Sequence, residues 1–284
     1  MKVCVIGNGG REHALAWRLS ISPSVTKVYA IPGSAAMSDC AELVGIDWQQ
    51  SDHLIRFLKD NHVDLVVVGP EAPLVVGLAD ALNAAGVPVF GPSKAAAQLE
   101  GSKVFAKDLM KKYNIPTAAY GVFHKVDEAK EFIGQTGAPI VVKADGLAAG
   151  KGVVVAMTVE EANAAVEDML SGNRFGDAGS TVVIEEFMEG EEASLLAFVD
   201  GKTVVPMIAS QDHKRIYDGD KGPNTGGMGT YAPAPVLTDA LRDEAMKTIL
   251  EPMVGAMQKK GMPYVGCLYA GLMITPQGPK VVEF

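Results

Sequence analysis

The segment from residue 139 to residue 156 reads Pro-Ile-Val-Val-Lys-Ala-Asp-Gly-Leu-Ala-Ala-Gly-Lys-Gly-Val-Val-Val-Ala, and it decides the fold of the middle of the chain. Two short β-branched runs flank a glycine-rich loop that carries Lys151, and Lys143 ends the first run. The pattern predicts two antiparallel strands whose loop can close over a polyphosphate, with backbone amides and Lys151 pairing with phosphate oxygens. It is not a Walker A loop, because Lys151 is followed by Gly152 and a strand instead of Ser or Thr and a helix.

Two further segments extend this pattern on either side. Gly101-Ser102-Lys103 supplies another lysine, and Ser102 is placed to cap a helix that begins there. After an apolar run comes the acidic stretch from Glu185 to Glu192, which by itself is more typical of a solvated turn. Beside two lysines and a glycine-rich loop it favours a nucleotide hinge, in which backbone groups contact the adenine edge and Glu192 accepts from ribose hydroxyls.

Residues 1–92 alternate short apolar runs with amphipathic segments. This alternation predicts an α/β domain with a Rossmann-like parallel sheet covered on both faces. Its first loop, Gly7-Asn8-Gly9-Gly10-Arg11-Glu12-His13, joins a strand to a helix, where backbone N–H groups and the helix dipole favour an anion. Arg11 can pair with a phosphate there. The alternative is a tight turn with a solvated arginine.

A dinucleotide site in this loop is disfavoured. The fingerprint requires a third glycine where the chain has Glu12, and an acidic residue ending the second strand where it has Ile31-Pro32-Gly33. A second loop, Gly69-Pro70-Glu71-Ala72-Pro73, follows another apolar strand and is predicted at the same carboxyl edge of the sheet. Glu71 is either an acceptor for sugar hydroxyls or an amine, or a helix N-terminal acid stabilised by the dipole.

Composition narrows the class of protein. The 284 residues contain 25 basic and 34 acidic side chains, a formal charge of −9 that disfavours a general nucleic-acid binder. Three cysteines without a C-x-x-C pair suggest neither a disulfide framework nor a zinc site. We expect a reducing, cytoplasmic location, since no signal-peptide pattern or membrane-length apolar run is present.

Six motifs together resemble one family. They are Gly7 to His13, Gly69 to Leu74, Leu99 to Lys103, Lys143 to Gly152, Gln211-Asp212-His213-Lys214-Arg215 and Gly222-Pro223-Asn224-Thr225-Gly226-Gly227-Met228-Gly229. The chain is similar along its whole length to the phosphoribosylamine-glycine ligases, also called glycinamide ribonucleotide synthetases, of the ATP-grasp superfamily. The glycine-rich flap recurs across that superfamily, whereas the combination of motifs is specific.

The resemblance implies an ATP-dependent ligase of de novo purine synthesis. It would join glycine to 5-phosphoribosylamine, giving glycinamide ribonucleotide, ADP and phosphate through a glycyl phosphate. A carboxylate resists attack by an amine, and its conversion to an acyl phosphate supplies a leaving group. The protein then mainly positions the reactants and neutralises phosphoryl charge.

The resemblance also assigns roles to individual residues. ATP would be held by phosphate ligands at Lys103, Lys143 and Lys151, a flap including Gly146, Gly150 and Gly152, an adenine hinge at Glu185 and Phe187, and a ribose acid at Glu192. Phosphoribosylamine would meet Gly9, Gly10, Arg11 and Glu71. The glycine and acyl-phosphate region would include Asp212, Lys214, Asn224, Gly226, Gly227, Met228 and Gly229, and the catalytic residues would be Lys151, Asp212 and Lys214.

Metal binding rests on one residue, Glu283, which matches the family's ligand for Mg²⁺ or Mn²⁺. The family's next ligand is an asparagine two residues later, and the strand-like run from Lys280 to Phe284 ends the sequence first. We therefore expect a C-terminally truncated chain, less stable and catalytically impaired on its own. With one protein ligand the ion would depend on ATP oxygens.

The expected organisation has four parts: a Rossmann-like substrate domain (1–92), a helical connector (93–118), an ATP-grasp flap domain (119–190) and an incomplete central ATP-grasp domain (191–284). Within the last part, residues 210–232 are predicted as a long polar loop. We expect a monomer with small-molecule substrates and neither nucleic-acid nor membrane partners. The alternatives are another ATP-grasp carboxylate-amine ligase, a dinucleotide-binding oxidoreductase, or a non-catalytic nucleotide-binding fragment.

Overall fold

The structure, a computed structural model, describes residues 1–146, 152–171, 180–219 and 221–284, and for residues 223, 224 and 226 the backbone alone. The chain divides into two compact units. The first contains residues 1–97 and 264–266, and the second contains residues 98–263 and 267–284. Among the helices described, none combines the length and apolar character that crossing a bilayer requires.

The first unit contains a five-stranded parallel sheet in the order β3-β2-β1-β4-β5. Its strands are β1 (Lys2–Gly7), β2 (Lys27–Pro32), β3 (Glu42–Leu43), β4 (Leu65–Val68) and β5 (Val89–Phe90), and its helices are α1 (Gly10–Ser20), α2 (Ser51–Asp60), α3 (Glu71–Val76) and α4 (Leu78–Ala84). The parallel sheet predicted from the apolar runs is confirmed.

Both faces of this sheet are covered, which explains why its strands are continuous apolar runs. Successive side chains of a strand point to opposite faces. Cys4 and Ile6 of β1 belong to one core cluster, while Val5 packs with Ala16 of α1 in another. A single strand therefore contributes to two cores.

The second unit begins with α5 (Gln98–Gly101) and α6 (Lys103–Tyr113), followed by a four-stranded antiparallel sheet. This sheet contains β6 (Tyr120–Phe123), β7 (Ile140–Ala144), β8 (Val153–Ala156) and β9 (Val182–Glu186) in the order β6-β9-β7-β8, with α7 (Val126–Thr136) and α8 (Val159–Ser171) packed against it. Lys143 of β7 is opposite Val153 of β8. The two antiparallel strands predicted around the glycine-rich loop are confirmed.

The remaining elements of this unit form a second sheet, a strand pair and a helical segment. In chain order they are β10 (Glu191–Asp200), β11 (Val204–Pro206), β12 (Gln211–Tyr217), β13 (Lys221–Tyr231), α9 (Asp239–Ala245), a π turn (Met246–Leu250), α10 (Glu251–Lys259), β14 (Val265–Thr275) and β15 (Gly278–Glu283). The four-stranded sheet has the order β11-β10-β14-β15.

The long loop predicted for residues 210–232 is wrong, because β12 and β13 pair there as an antiparallel ribbon. The ribbon satisfies its backbone groups through the ladder, with register shifts on either side of Arg215. Most of its described side chains are exposed or half-buried. A strand without a buried apolar face leaves no period-two pattern in the sequence, and this one was therefore not visible there.

Candidate active site

The N-terminus of α6 lies against the end of β7. Ser102 caps the helix, as the sequence predicts, by accepting from the backbone N–H of Phe105 at 3.1 Å. The carboxylate of Asp145 accepts from the Ser102 hydroxyl at 3.3 Å and from the Val104 N–H at 3.2 Å. These contacts fix the start of the glycine-rich loop to the helix that carries Lys103.

Lys103 points to that loop, and its ammonium donates to the carbonyl oxygen of Gly146 at 2.9 Å. Burial lowers the pKa of Lys103 below its usual value; Glu283 opposes this shift and Lys143 adds to it. Gly152 accepts from the N–H of Ala144 at 2.8 Å, which closes the base of the loop. Gly150 and Lys151 lie outside the described residues, and the flap and catalytic roles predicted for them stay predictions.

Near the end of β7 three charged side chains form a buried cluster: Lys107, Lys143 and Glu185, each no more than 4% exposed. Glu185 Oε2 is 2.9 Å from Lys107 Nζ and 3.0 Å from Lys143 Nζ. Lys143 also donates to the carbonyl of Val282 at 3.0 Å. Such a cluster is held together because an unpaired buried charge is strongly destabilising.

The other oxygen of the Glu185 carboxylate, Oε1, is buried without a hydrogen-bond donor from the described residues. A buried carboxylate oxygen without a donor costs free energy, so it marks a position where a ligand N–H would be favourable. Glu185 is the last residue but one of β9, which ends at Glu186 directly before the half-buried Phe187, where the sequence predicts the adenine hinge.

Lys107 was missed by the sequence analysis. It lies one turn after Lys103 on α6, and residues four apart share a helix face. That spacing was the available signal. Burial lowers the pKa of Lys107, with Glu185 opposing the shift and Lys143 reinforcing it.

A second group of polar side chains lies on β10, β12, β14 and β15. Lys214 of β12 forms a 2.8 Å ion pair with Glu192 of β10. Burial lowers the pKa of Lys214, but the charge and the hydrogen bond of the nearby Glu192 carboxylate oppose this effect, and the pKa is raised above its usual value. The structure thus joins the predicted ribose acid to a predicted catalytic residue.

Tyr269 of β14 belongs to the same group and was also missed. Its hydroxyl accepts from Ser194 at 3.4 Å, and burial raises its pKa, with the charges of Glu283 and Lys214 also acting on it. Glu283, the predicted metal ligand, is exposed and lies opposite Gly271 in the β14–β15 register. The strand alternation that places Tyr269 and Gly271 on one face was the sequence signal for this tyrosine.

The β12–β13 ribbon contains the other predicted substrate residues. Asp212 is half-buried and opposite Thr230, while Gly229 is opposite His213. Met228 is 59% exposed. Asn224, Gly226 and Gly227 lie on β13, and the N–H of Gly227 donates to the Thr225 hydroxyl at 3.1 Å. The ribbon brings these residues onto one element.

In the first unit, Glu12 occupies the space between the predicted phosphate loop and its neighbour. It is 4% exposed, and Oε2 accepts from the Gly9 N–H at 2.8 Å. A Cβ added to Gly69 would overlap the Glu12 carboxylate, so this close approach requires glycine. The Gly9 N–H, which the sequence analysis assigned to a phosphate, therefore already donates to Glu12. Glu12 also stands at the position where a dinucleotide-binding loop has its third glycine.

Arg11 and Glu71, predicted to bind the same substrate, are neighbours. Arg11 is 2.7 Å from Glu12 and 3.4 Å from Glu71, and both contacts raise the pKa of its guanidinium against the effect of burial. Gly10 begins α1, as predicted for a helix N-terminal loop. The structure brings Gly9, Gly10, Arg11 and Glu71 to one edge of the sheet. Glu12 lies there too, although the sequence analysis considered it only as the residue in place of a glycine.

No group of three or more His, Cys, Asp or Glu side chains arranged for a metal was found among the residues that the structure describes. One carboxylate, Glu283, fits a Mg²⁺ ion only where nucleotide phosphates supply other ligands, as is usual for this ion. The donor set therefore fits a nucleotide-bound metal better than an all-protein metal centre.

The comparisons with known proteins cover the whole chain. Residues 1–100 match the family model of the phosphoribosylglycinamide synthetase N domain, and residues 101–284 match that of the phosphoribosylglycinamide synthetase ATP-grasp (A) domain. Phosphoribosylamine–glycine ligases from Pasteurella multocida and Brucella melitensis are 56% and 58% identical over 100% of this chain and 67% and 66% of their own. The chain spans about two thirds of the length of these curated relatives.

Solved structures agree. A phosphoribosylamine–glycine ligase from Thermotoga maritima has a TM-score of 0.87 at 34% identity, over 100% of this chain and 68% of that one. The biotin carboxylase domain of Hydrogenobacter thermophilus 2-oxoglutarate carboxylase, solved with MgADP, has a TM-score of 0.75 at 18% identity, over 99% of this chain and 63% of that one. The second likeness shows the fold alone. The ATP-grasp fold predicted from the motifs is confirmed, and the chain belongs to the phosphoribosylglycinamide synthetase family.

Proposed function

We propose that this chain carries out the ATP-dependent ligation of glycine to 5-phosphoribosylamine, giving glycinamide ribonucleotide, ADP and phosphate in purine biosynthesis. The observation that carries the proposal is the 56–58% identity, over all of this chain, to ligases of that name. The buried cluster of Lys107, Lys143 and Glu185 supports the nucleotide part of the proposal.

The charges near the end of β7 support ATP as the ligand of this site. Lys103 and Lys143 present ammonium groups at the base of the loop, and Lys151 would add a third. Adenine would lie at Glu185 and Phe187, where its exocyclic amine could donate to Glu185 Oε1, the buried acceptor without a described partner. Glu192 would accept from the ribose hydroxyls.

The chemistry follows from the charges. Transfer of the γ-phosphoryl group to the glycine carboxylate gives ADP and an acyl phosphate. The amine of phosphoribosylamine then attacks the acyl carbon, forms the amide bond and displaces inorganic phosphate. Lys214, kept protonated beside Glu192, would hold the carboxylate or acyl phosphate for attack, with Asp212, Gly229 and the rest of the ribbon lining the site. The lysines neutralise charge that develops on the phosphoryl oxygens.

Phosphoribosylamine would bind at the first unit. Arg11 is 58% exposed at its side chain and could exchange its contact with Glu71 for a phosphate. Glu71 would then be released toward the sugar hydroxyls or amine. Glu12 keeps Gly9 in place during this exchange.

A divalent ion, Mg²⁺ or Mn²⁺, would be held by Glu283 and would neutralise phosphate charge when bound. We further propose a monomeric, cytoplasmic protein without nucleic-acid or membrane partners. The division into a substrate domain (1–92), a connector (93–118), a flap domain (119–190) and a central domain (191–284) is part of the same proposal.

The test is release of ADP with each substrate omitted in turn. We expect ADP only when glycine and phosphoribosylamine are both present. ADP formation indifferent to both would contradict the ligase, and dependence on another carboxylate or amine would favour a different ATP-grasp ligase. ATP binding without turnover would favour a nucleotide-binding fragment instead.

A further inference from the structure

Lys107 is buried, so its ammonium is not available to a ligand at the surface, and it is paired with the carboxylate of Glu185. It is 2% exposed, and its ammonium is 2.9 Å from Glu185 Oε2 and donates to the Thr117 hydroxyl at 2.8 Å. Thr117 in turn donates to the carbonyl of Val281 at 2.7 Å. The Lys107 side chain is therefore held by Glu185 of β9 and by Thr117, which is itself bonded to β15.

The same carboxylate oxygen also receives Lys143, at 3.0 Å. Two ammonium groups and one carboxylate leave the cluster with one net positive charge. Without Lys107, the carboxylate of Glu185 would neutralise Lys143, and the net charge would be zero. A positive charge in a site of low dielectric attracts an anion far more strongly than one in water.

We propose that Lys107 is a positioning residue for the nucleotide: it balances the charge of Glu185, so that Lys143 keeps a net positive charge for the phosphates. It does so without touching the nucleotide. This inference rests on the proposed function, because it takes Lys143 and Glu185 as parts of the ATP site.

Two geometric features support this arrangement. Lys107 and Lys143 share Oε2, which leaves Oε1 of Glu185 as a free acceptor within the described residues. Each lysine has a second, neutral acceptor of its own, the Thr117 hydroxyl or the Val282 carbonyl. A purely structural ion pair would need only one lysine.

The test measures the Kd of MgATP by calorimetry for the whole chain and five variants: Lys107→Gln, Glu185→Gln, the double variant of these two, Lys111→Gln and Lys143→Met. Lys107→Gln keeps an amide that can bond Thr117 but removes the charge, and we expect it to weaken binding by about tenfold, equivalent to about 1.4 kcal/mol. The double variant Lys107→Gln, Glu185→Gln restores the net charge of one. Because Glu185 is also the proposed adenine acceptor, the reference for the double variant is Glu185→Gln alone, and we expect the two Kd values to agree within about threefold. Lys111→Gln, one turn further along α6 and exposed, is the matched control and should not change the Kd.

The double variant separates charge balance from structural support. If Lys107 only supports the structure, the double variant binds ATP at least about tenfold more weakly than Glu185→Gln, and that result would overturn the inference. The double variant also lacks the buried carboxylate that would be under-paired in the single one, so it remains informative if Lys107→Gln does not fold. If Lys143→Met binds ATP more weakly than the wild type and Lys107→Gln binds it equally well, this inference alone is overturned. No ATP binding by the wild type would overturn the proposed nucleotide site and this inference with it.

Discussion

Ser102 and Asp145, 43 residues apart in sequence, are joined by hydrogen bonds of 3.3 Å from the serine hydroxyl to both carboxylate oxygens. Asp145 also accepts from the Val104 N–H. This contact places the first turn of α6, and with it Lys103, against the glycine-rich loop. The proposed nucleotide site thus depends on Asp145, which follows β7 and helps to cap α6.

Replacing Asp145 by alanine should therefore affect stability and binding together. We expect a loss of about 0.5–2 kcal/mol in the free energy of unfolding, the range for a lost helix cap, and weaker ATP binding because Lys103 is no longer held. Urea unfolding and calorimetry measure the two effects. Asp127→Ala, at an exposed position in the first turn of α7, is the control and should cost a few tenths of a kcal/mol. An unchanged ATP affinity in Asp145→Ala would contradict this account of the cap.

Glu192 should discriminate between ribose and deoxyribose nucleotides. We expect Glu192→Gln to lower ATP affinity by about tenfold, because a hydrogen bond to a charged group contributes roughly 1.5–3 kcal/mol. Binding of 2′-deoxy-ATP should fall much less, so the preference for ATP shrinks. Glu191→Gln, the adjacent exposed position on β10, is the matched control. The ribose role is wrong if Glu192→Gln keeps the wild-type preference.

Gly271 allows Tyr269 and Glu283 to approach each other. A Cβ at residue 271 would lie 3.0 Å from the Tyr269 hydroxyl and 3.2 Å from Glu283 Cγ. We expect Gly271→Ala to displace Glu283 and to raise the Mg²⁺ concentration for half-maximal ATP binding by about tenfold, as for other residues that orient a metal ligand. Gly255→Ala on α10, where the added methyl meets open space, should leave this concentration unchanged and stabilise the helix by about 0.5–1 kcal/mol. Equal Mg²⁺ dependence in both variants would argue against Glu283 as the ligand.

We expect the Cys4 thiol to make the free energy of unfolding depend on pH in the alkaline range. Burial raises the pKa of its thiol from 9.0 to about 12. Below pH 9 both the folded and the unfolded chain keep the proton. Between pH 9 and about 12 only the unfolded chain releases it, so stability falls as pH rises, by about 1.4 kcal/mol per pH unit.

Cys4→Ala removes this contribution. We expect the wild type to be more stable than the variant at pH 8 and to lose roughly 2–3 kcal/mol of that advantage by pH 11. Urea unfolding at both values measures it. A constant difference between the two proteins across this range would show that the thiol is not responsible.

The sequence predicted those parts of the fold whose pattern reflects burial. The continuous apolar run of β1 indicated a sheet covered on both faces, and Ser102 indicated the start of α6 through its cap. The β12–β13 ribbon was not predictable in this way, because its polar, glycine-rich strands bury little and are held by backbone pairing.

The residues of the candidate site were predictable from the sequence only where they belong to a local motif. The glycine-rich loop and the lysines beside it stand out in the sequence. Glu12 and Lys107 do not, because their roles depend on partners that the fold brings close: the Gly9 amide for Glu12, and Glu185, 78 residues after Lys107, for the lysine. A buried charge is recognisable from its neighbours, and those neighbours are set by tertiary structure.

The central claim is that Lys143 and the residues around it form an ATP site, and calorimetric titration with MgATP tests it most directly. The account predicts saturable binding of one ATP per chain, weakened at least about tenfold by Lys143→Met and unchanged by Lys111→Gln. Absence of binding by the wild type, or equal affinity in Lys143→Met with the fold intact, would contradict it.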